Sequence, residues 1–176
     1  MVVNTDSLIF ETDRLIVKRF TENNKEEFYK VNGDAQVMKY IRPAKSRSET
    51  DAFLLEVIEY YNQTKIFGRW GVWNKSSNEF VGSFALIPVE KSEKMQLGYA
   101  LLPSHWGLGY ASELTRAGIE YTFHRTPLLE VYGYTEKENL GSIKVLEKCG
   151  FKYNDQKSEG SKIILEYILE KTYNGF

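Results

Sequence analysis

One cysteine and four prolines among 176 residues leave this chain short of several kinds of chemistry. Cys149 has no partner for an internal disulfide, so the core alone must hold the fold. No apolar run approaches the roughly 20 residues that cross a bilayer. The opening MVVNTDSLIFETD has neither a basic n-region nor an uninterrupted apolar h-region. A cytoplasmic protein without membrane contact is expected. An excess of one charge is also lacking: 23 Lys and Arg face 24 Asp and Glu, scattered rather than in blocks. That balance gives no broad basic footprint for nucleic acid. Internal repeats and low-complexity linkers are absent from the sequence.

The chain does have apolar residues at 42% and aromatics at 14%, enough to fill one core, so a single domain over residues 1–176 is expected. Leu8 to Arg19 alternates as a strand, and Thr21 with nearby acids opens a short helix. A second helix is predicted from Ser48 to Asn62, with Phe53, Leu54, Val57, Ile58 and Tyr61 on one face. Phe67–Trp73 and Phe80–Ile87 read as a hairpin around a polar turn. Met95 to Leu102 is a strand stopped by Pro103, followed by a helix from Tyr110 to His124 that Pro127 forbids from continuing. Leu128 to Thr135 returns as a strand and completes a βαβ crossover. Asn139 caps a last helix that Gly150 ends, Phe151 restarts a strand, and Lys162–Glu170 is its hairpin partner across a loop from Asn154 to Ser161. The class is α+β with a mixed sheet.

Between that fourth strand and its helix lies Trp106-Gly107-Leu108-Gly109-Tyr110-Ala111. Glycines let successive N–H groups turn toward one ligand, and the helix that follows presents its positive end. A pyrophosphate suits such a cradle; a plain turn is the alternative. Gly-Lys-Ser/Thr does not follow, which argues against a nucleotide P-loop, and hairpins ahead of the crossover argue against a nicotinamide dinucleotide fold.

Four motifs in order carry a family resemblance across nearly the whole chain: Glu11-Thr12-Asp13-Arg14-Leu15, Leu97-Gly98-Tyr99-Ala100-Leu101-Leu102-Pro103, Trp106 to Glu113, and Glu138-Asn139-Leu140-Gly141-Ser142 running into Leu146 to Phe151. The chain resembles the GNAT-superfamily N-acetyltransferases, in particular the Rim-type enzymes that acetylate ribosomal-protein N-termini. The resemblance implies a mixed, mostly antiparallel sheet of seven strands, splayed between the fourth and fifth and flanked by about four helices. It also implies acetyl-CoA as co-substrate and direct acetyl transfer to a primary amine in a ternary complex, with no metal and no acetyl-enzyme. The acceptor is a protein N-terminus or a small molecule, and the assembly a monomer or homodimer.

Residue by residue, the resemblance assigns the cofactor to Leu101, Trp106, Gly107, Leu108, Gly109, Tyr110 and Ala111, with Asn139 and Ser142 contacting pantetheine and sulfur. Trp106 replaces the usual Gln or Arg, and packing alone is its alternative role. Leu101 is both a core residue and a main-chain partner for the pantetheine amides. Ser142 is expected to donate to the leaving thiolate and Asn139 to hold pantetheine or a water; a helix cap and its first turn are the plain alternative. The family's acid on the fourth strand corresponds to Gln96, which orients a water but takes no proton. Glu90 and Glu93 read as solvated loop acids, Glu113 as a structural residue in a first turn, His105 as a surface residue and His124 as a helix cap. Cys149 reads as inert core. Acceptor recognition is expected from Val37–Arg42, Phe67–Trp73 and Asn154–Ser161; Tyr40, Trp70 and Trp73 are read first as packing residues, with walls of a cleft for an amine as the alternative. Lack of an assignable base leaves a rival reading, a non-catalytic acyl-CoA-binding pseudoenzyme or sensor.

Overall fold

The computed structural model describes residues 7–172, so the first residues of the opening segment lie outside it. Eight strands form one sheet in the order β1-β2-β3-β4-β5-β6-β8-β7. Its elements in chain order are β1 (Leu8–Glu11), β2 (Leu15–Arg19), α1 (Lys25–Asn32), α2 (Ala35–Met38), α3 (Arg47–Gln63), β3 (Gly68–Asn74), β4 (Phe80–Pro88) and β5 (Met95–Leu101). Then follow α4 (Tyr110–Arg125), β6 (Glu130–Glu136), α5 (Leu140–Lys148), β7 (Lys152–Glu159) and β8 (Lys162–Glu170). All neighbours are antiparallel except β5 and β6, joined by the crossover helix α4.

Three sequence expectations need correcting. The single strand over Leu8–Arg19 is two strands, because Thr12 closes a turn by accepting from the Leu15 N–H (2.8 Å) while its own N–H donates to the Leu15 carbonyl (2.9 Å). That turn makes the count eight rather than seven. Asn154–Ser161 is not a loop: β7 pairs with β8 as far as Glu159↔Lys162, and Gly160 turns the chain with φ of 60°. The short α2 had no apolar period to announce it; Asp34 caps it by accepting from the Gln36 and Val37 N–H groups.

Strand alternation sorts the core onto two faces. Trp70, Val72, Phe84, Leu97 and Leu101 face α4, where a Cβ on Gly118 would lie 2.3 Å from Phe84; glycine is therefore required for the helix to sit this close. The opposite face carries Phe20, Trp73 and Phe80 under Phe28 of α1 and Phe53 of α3, joined by edge and tilted ring contacts. Trp70 and Trp73 thus pack inside the core, at 0% and 6% exposure, and neither walls a cleft.

β5 is paired with β4 along its whole length, yet its ladder with β6 consists of one pair, Gln96↔Tyr132. Beyond that pair the two parallel strands part. The sheet therefore has an opening through it, with α4 and α5 on one face and Gly98 on the other, where a Cβ would meet nothing within 4 Å.

Candidate active site

The turn expected to be an anion cradle lies at the strand end of this opening. Gly107 and Gly109 have φ of 76° and 81°, left-handed values that cost other residues about 1 kcal/mol or more. Gly109 is the N-cap of α4 and supplies no side-chain cap, whereas Ser46 caps α3 and Asn139 caps α5. The first N–H groups of α4 are thus left without a side-chain acceptor, at the positive end of the helix dipole. Trp106 and Leu108 are about half exposed around the turn, at 47% and 50%.

Arg14 fixes the cradle from outside. Its Nη1 donates to the Leu108 carbonyl (3.0 Å), its guanidinium lies 4.5 Å from the Tyr110 ring centroid, and its Nε donates to Glu113 (2.7 Å). Glu113 also accepts from the Thr12 hydroxyl (2.5 Å) and the Arg14 backbone N–H (3.0 Å). Burial raises the Glu113 pKa, but these hydrogen bonds and the Arg14 charge outweigh it and hold the carboxyl below its usual value. Glu113 has the structural role expected of it. A depressed pKa gives stability that is present above the unfolded value and lost as pH falls through the folded one. Glu113→Gln should therefore cost about 1 kcal/mol near neutral pH, discounted because Arg14 is half exposed, and almost nothing below about pH 3. Thermal melts of both proteins at the two pH values check this.

Leu101 ends β5 with its side chain in the core. The Leu102 N–H donates to Val81 on β4, so by alternation the Leu101 backbone faces the opening. Its carbonyl already accepts from Trp106 Nε1 at 2.7 Å. Trp106 thus does more than pack: it holds the strand end to the cradle and leaves the Leu101 N–H as the group facing the gap.

At the other wall, Asn139 Oδ1 accepts from the Ser142 N–H (3.2 Å), the plain capping role, and among the described residues its amide NH2 has no hydrogen-bond acceptor. Ser142 is half-buried, and Tyr99 of β5 lies near it. Burial pushes the Tyr99 phenol up, opposed by the Ser142 hydrogen bond. Tyr99 was quoted in the strand motif but given no role; its place two residues before Leu101, on the same face, was the available signal.

The remaining expectations divide cleanly. His105 stacks 6.1 Å from Tyr110 and pairs with the Ser104 hydroxyl, while His124 contacts the Glu120 carbonyl in the last turn of α4. Cys149 is buried, with its thiol on the Ser112 carbonyl and its pKa raised by burial. Glu90 and Glu93 are exposed loop acids. Gln96 is at the one β5–β6 pair, half-buried. Carboxylates on the neighbouring strands are engaged: Glu166 accepts from Lys94 (2.8 Å), Tyr134 (2.6 Å) and Asn154 (2.6 Å), and Glu136 pairs with Lys162. Arg42 and Arg69 lie in segments singled out for acceptor recognition, but as cations rather than aromatic walls. Arg69 interrupts an otherwise apolar strand, which was the signal for it.

The fold has counterparts among known proteins. Residues 14–152 match the acetyltransferase (GNAT) domain. The chain belongs to that family. Its sequence is 27% identical over 145 residues to an uncharacterized N-acetyltransferase, YoaA, of Bacillus subtilis, covering 81% of this chain and 82% of that one. RimL, the ribosomal L7/L12 α-N-protein acetyltransferase solved with coenzyme A, superposes with a TM-score of 0.79 at 15% identity, over 93% of this chain and 97% of that one. The spermidine N-acetyltransferase of Vibrio cholerae, solved with coenzyme A and spermine, gives 0.75 at 19% identity, over 89% and 95%. At these identities the two structures establish likeness of fold. GNAT membership implies acetyl transfer from acetyl-CoA. No helix among the described residues is long and apolar enough to cross a membrane.

Proposed function

We propose that this GNAT protein acetylates a primary amine directly from acetyl-CoA held in the β5–β6 opening. The observation that carries the reading is the opening itself: it connects a face bearing Ser142 and Tyr99 to a face bearing Gln96 and Gly98. Donor and acceptor can therefore approach one acetyl group from opposite sides of the sheet. The fit of acetyl-CoA rests on the left-handed glycines, the uncapped start of α4 and the open space at Gly107, where a Cβ would meet nothing within 4 Å.

Acetyl-CoA when bound supplies an activated acyl group on a thiol leaving group. Leu108, Gly109, Tyr110 and Ala111 offer backbone N–H groups to its pyrophosphate, and Arg14 adds positive charge behind them. The Leu101 N–H and the free Asn139 amide are placed for the pantetheine amides. Ser142 donates a hydrogen bond to the departing sulfur as negative charge develops, with Tyr99 beside it as a second hydroxyl. On the other face Gln96 orients the water that takes the proton from the amine, since no carboxylate is free beside it.

Incubation with acetyl-CoA and a panel of primary amines, read by mass spectrometry, tests the proposal. N-Acetyl products are expected, forming far more slowly with Ser142→Ala. Tight acetyl-CoA binding without product from any amine or peptide N-terminus would favour the binding-only sensor.

A further inference from the structure

Two arginines meet on the acceptor face of the sheet without a counter-ion. Arg42, just after α2, and Arg69, on β3, place their guanidinium carbons 5.1 Å and 5.7 Å from the centroid of one ring, Phe53; Lys45 Nζ lies 5.5 Å from the same ring. Among the described residues no carboxylate forms an ion pair with either arginine. Arg42 is positioned by one side chain: its Nη2 donates to Asn32 Oδ1, and Asn32, 3% exposed, is itself anchored by donating to the Phe28 carbonyl at 2.8 Å. Arg42 Nε is buried and makes no hydrogen bond. Burial, and then the neighbouring Arg42 charge, push the Arg69 pKa down to about 10, so both groups still carry full charge at neutral pH.

Both arginines are half-buried, and partial desolvation and like-charge repulsion both oppose placing two such cations together without a partner. Nothing in the packing demands it, since an apolar residue at 69 would sit well against Phe53 and Val57. Beside Arg69 lies a cavity of 260 Å³, lined also by Phe53, Val57 and Ile87, with the exposed Glu56 at its rim.

Register gives the distance from these cations to the chemistry. Arg69 pairs with Ala85, and Ala85 pairs with Gly98, so the three share a row across β3, β4 and β5. Two strand spacings put Arg69 roughly 10 Å from Gly98 at the opening. The one residue between is Ala85, whose methyl group is buried at 6% exposure and takes up little room. The adjacent row runs from Ile87 to Gln96 and Tyr132, so the cavity also borders the one β5–β6 pair.

We infer that Arg42 and Arg69 form an anion site for the acceptor, and that the preferred acceptor is a primary amine carrying a carboxylate or phosphate within about 10 Å of its amine. The arginines supply planar, bidentate donors suited to such oxyanions. The same cations repel the second ammonium of a diamine. This inference rests on the acetyl-transfer reading for the position of the amine, but the anion site can be tested without turnover.

Two measurements decide it. In the first, acetylation of δ-aminovalerate is compared with that of cadaverine, an equally long amine with an ammonium in place of the carboxylate. We expect kcat/KM to favour δ-aminovalerate by about tenfold or more. Arg69→Met should remove that preference through KM with kcat retained, and Arg69→Lys should restore part of it. Peptides with an acidic or a basic second residue, run alongside, show whether the anion belongs to a free small molecule or to a protein N-terminus. The second measurement is the thermal shift produced by glutarate, with no coenzyme present. Wild type should be stabilised, and Arg69→Met should lose the response while its ligand-free melting temperature rises by roughly 2–4 °C from relief of charge repulsion. Arg42→Gln serves as a second variant. Preference for cadaverine in the wild type, or an undiminished glutarate shift in the arginine variants, overturns the inference. Failure to acetylate any amine would count against the proposed function, and the glutarate response would still decide the anion site.

Discussion

Gly109→Glu abolishes detectable acetyl-CoA binding in calorimetric titration, while Gly109→Ala weakens it only moderately. Both substitutions bear the cost of φ at 81°, about 1–2 kcal/mol, since any Cβ is disfavoured there. Space is not the obstacle: the nearest side-chain atom to a built Cβ is Arg14 Nη2 at 3.5 Å. What separates the two variants is charge and reach. A glutamate carboxylate at this N-cap lies where the first α4 N–H groups converge. It occupies the cradle as an internal anion and repels a pyrophosphate. Because carboxylates near a helix N-terminus stabilise the helix, Gly109→Glu should melt no lower than Gly109→Ala. Lost binding with retained stability isolates the cradle as the cause. Equal binding by the two variants would make the turn structural only.

Ser142→Ala is expected to lower kcat by about a hundredfold with acetyl-CoA affinity little changed, and Tyr99→Phe by about tenfold. The order follows from position. In the proposed reading Ser142 meets the leaving sulfur, whereas Tyr99 acts through Ser142 and changes only how well that hydroxyl donates. A relay of this kind makes the double variant no worse than Ser142→Ala alone, a non-additivity that distinguishes relay from independent roles. Both side chains are half-buried and neither fills the core centre, so melting temperatures should stay close to wild type. An additive double variant would place Tyr99 outside the relay.

The strands and helices that carry function were legible because their signals are local. Pro103 ends β5 at Leu101, Asn139 caps α5, and Gly107 and Gly109 announce left-handed backbone. Partnership across the sheet was not legible. Arg14 reaches Glu113 and Leu108 from almost a hundred positions away, and only the β1–β2 turn brings it there. Whether Trp70 and Trp73 pack in the core or wall a cleft was open for the same reason, and the structure gives core packing. An aromatic in a strand reads alike whether its face is open or covered, and α4 covers Trp70 while α1 and α3 close the face of Trp73. β7 misled in the opposite direction. Its polar sequence, exposed at every position, reads as a loop, yet pairing with β8 alone keeps it extended as an edge strand.

Initial rates with acetyl-CoA and an amine varied together test the central claim most directly, because the proposed reaction has both substrates meet at one acetyl group in the opening of the sheet. Double-reciprocal lines that intersect, with no acetyl group left on the protein when the amine is omitted, are predicted. Parallel lines, or an isolable acetylated enzyme, would contradict direct transfer.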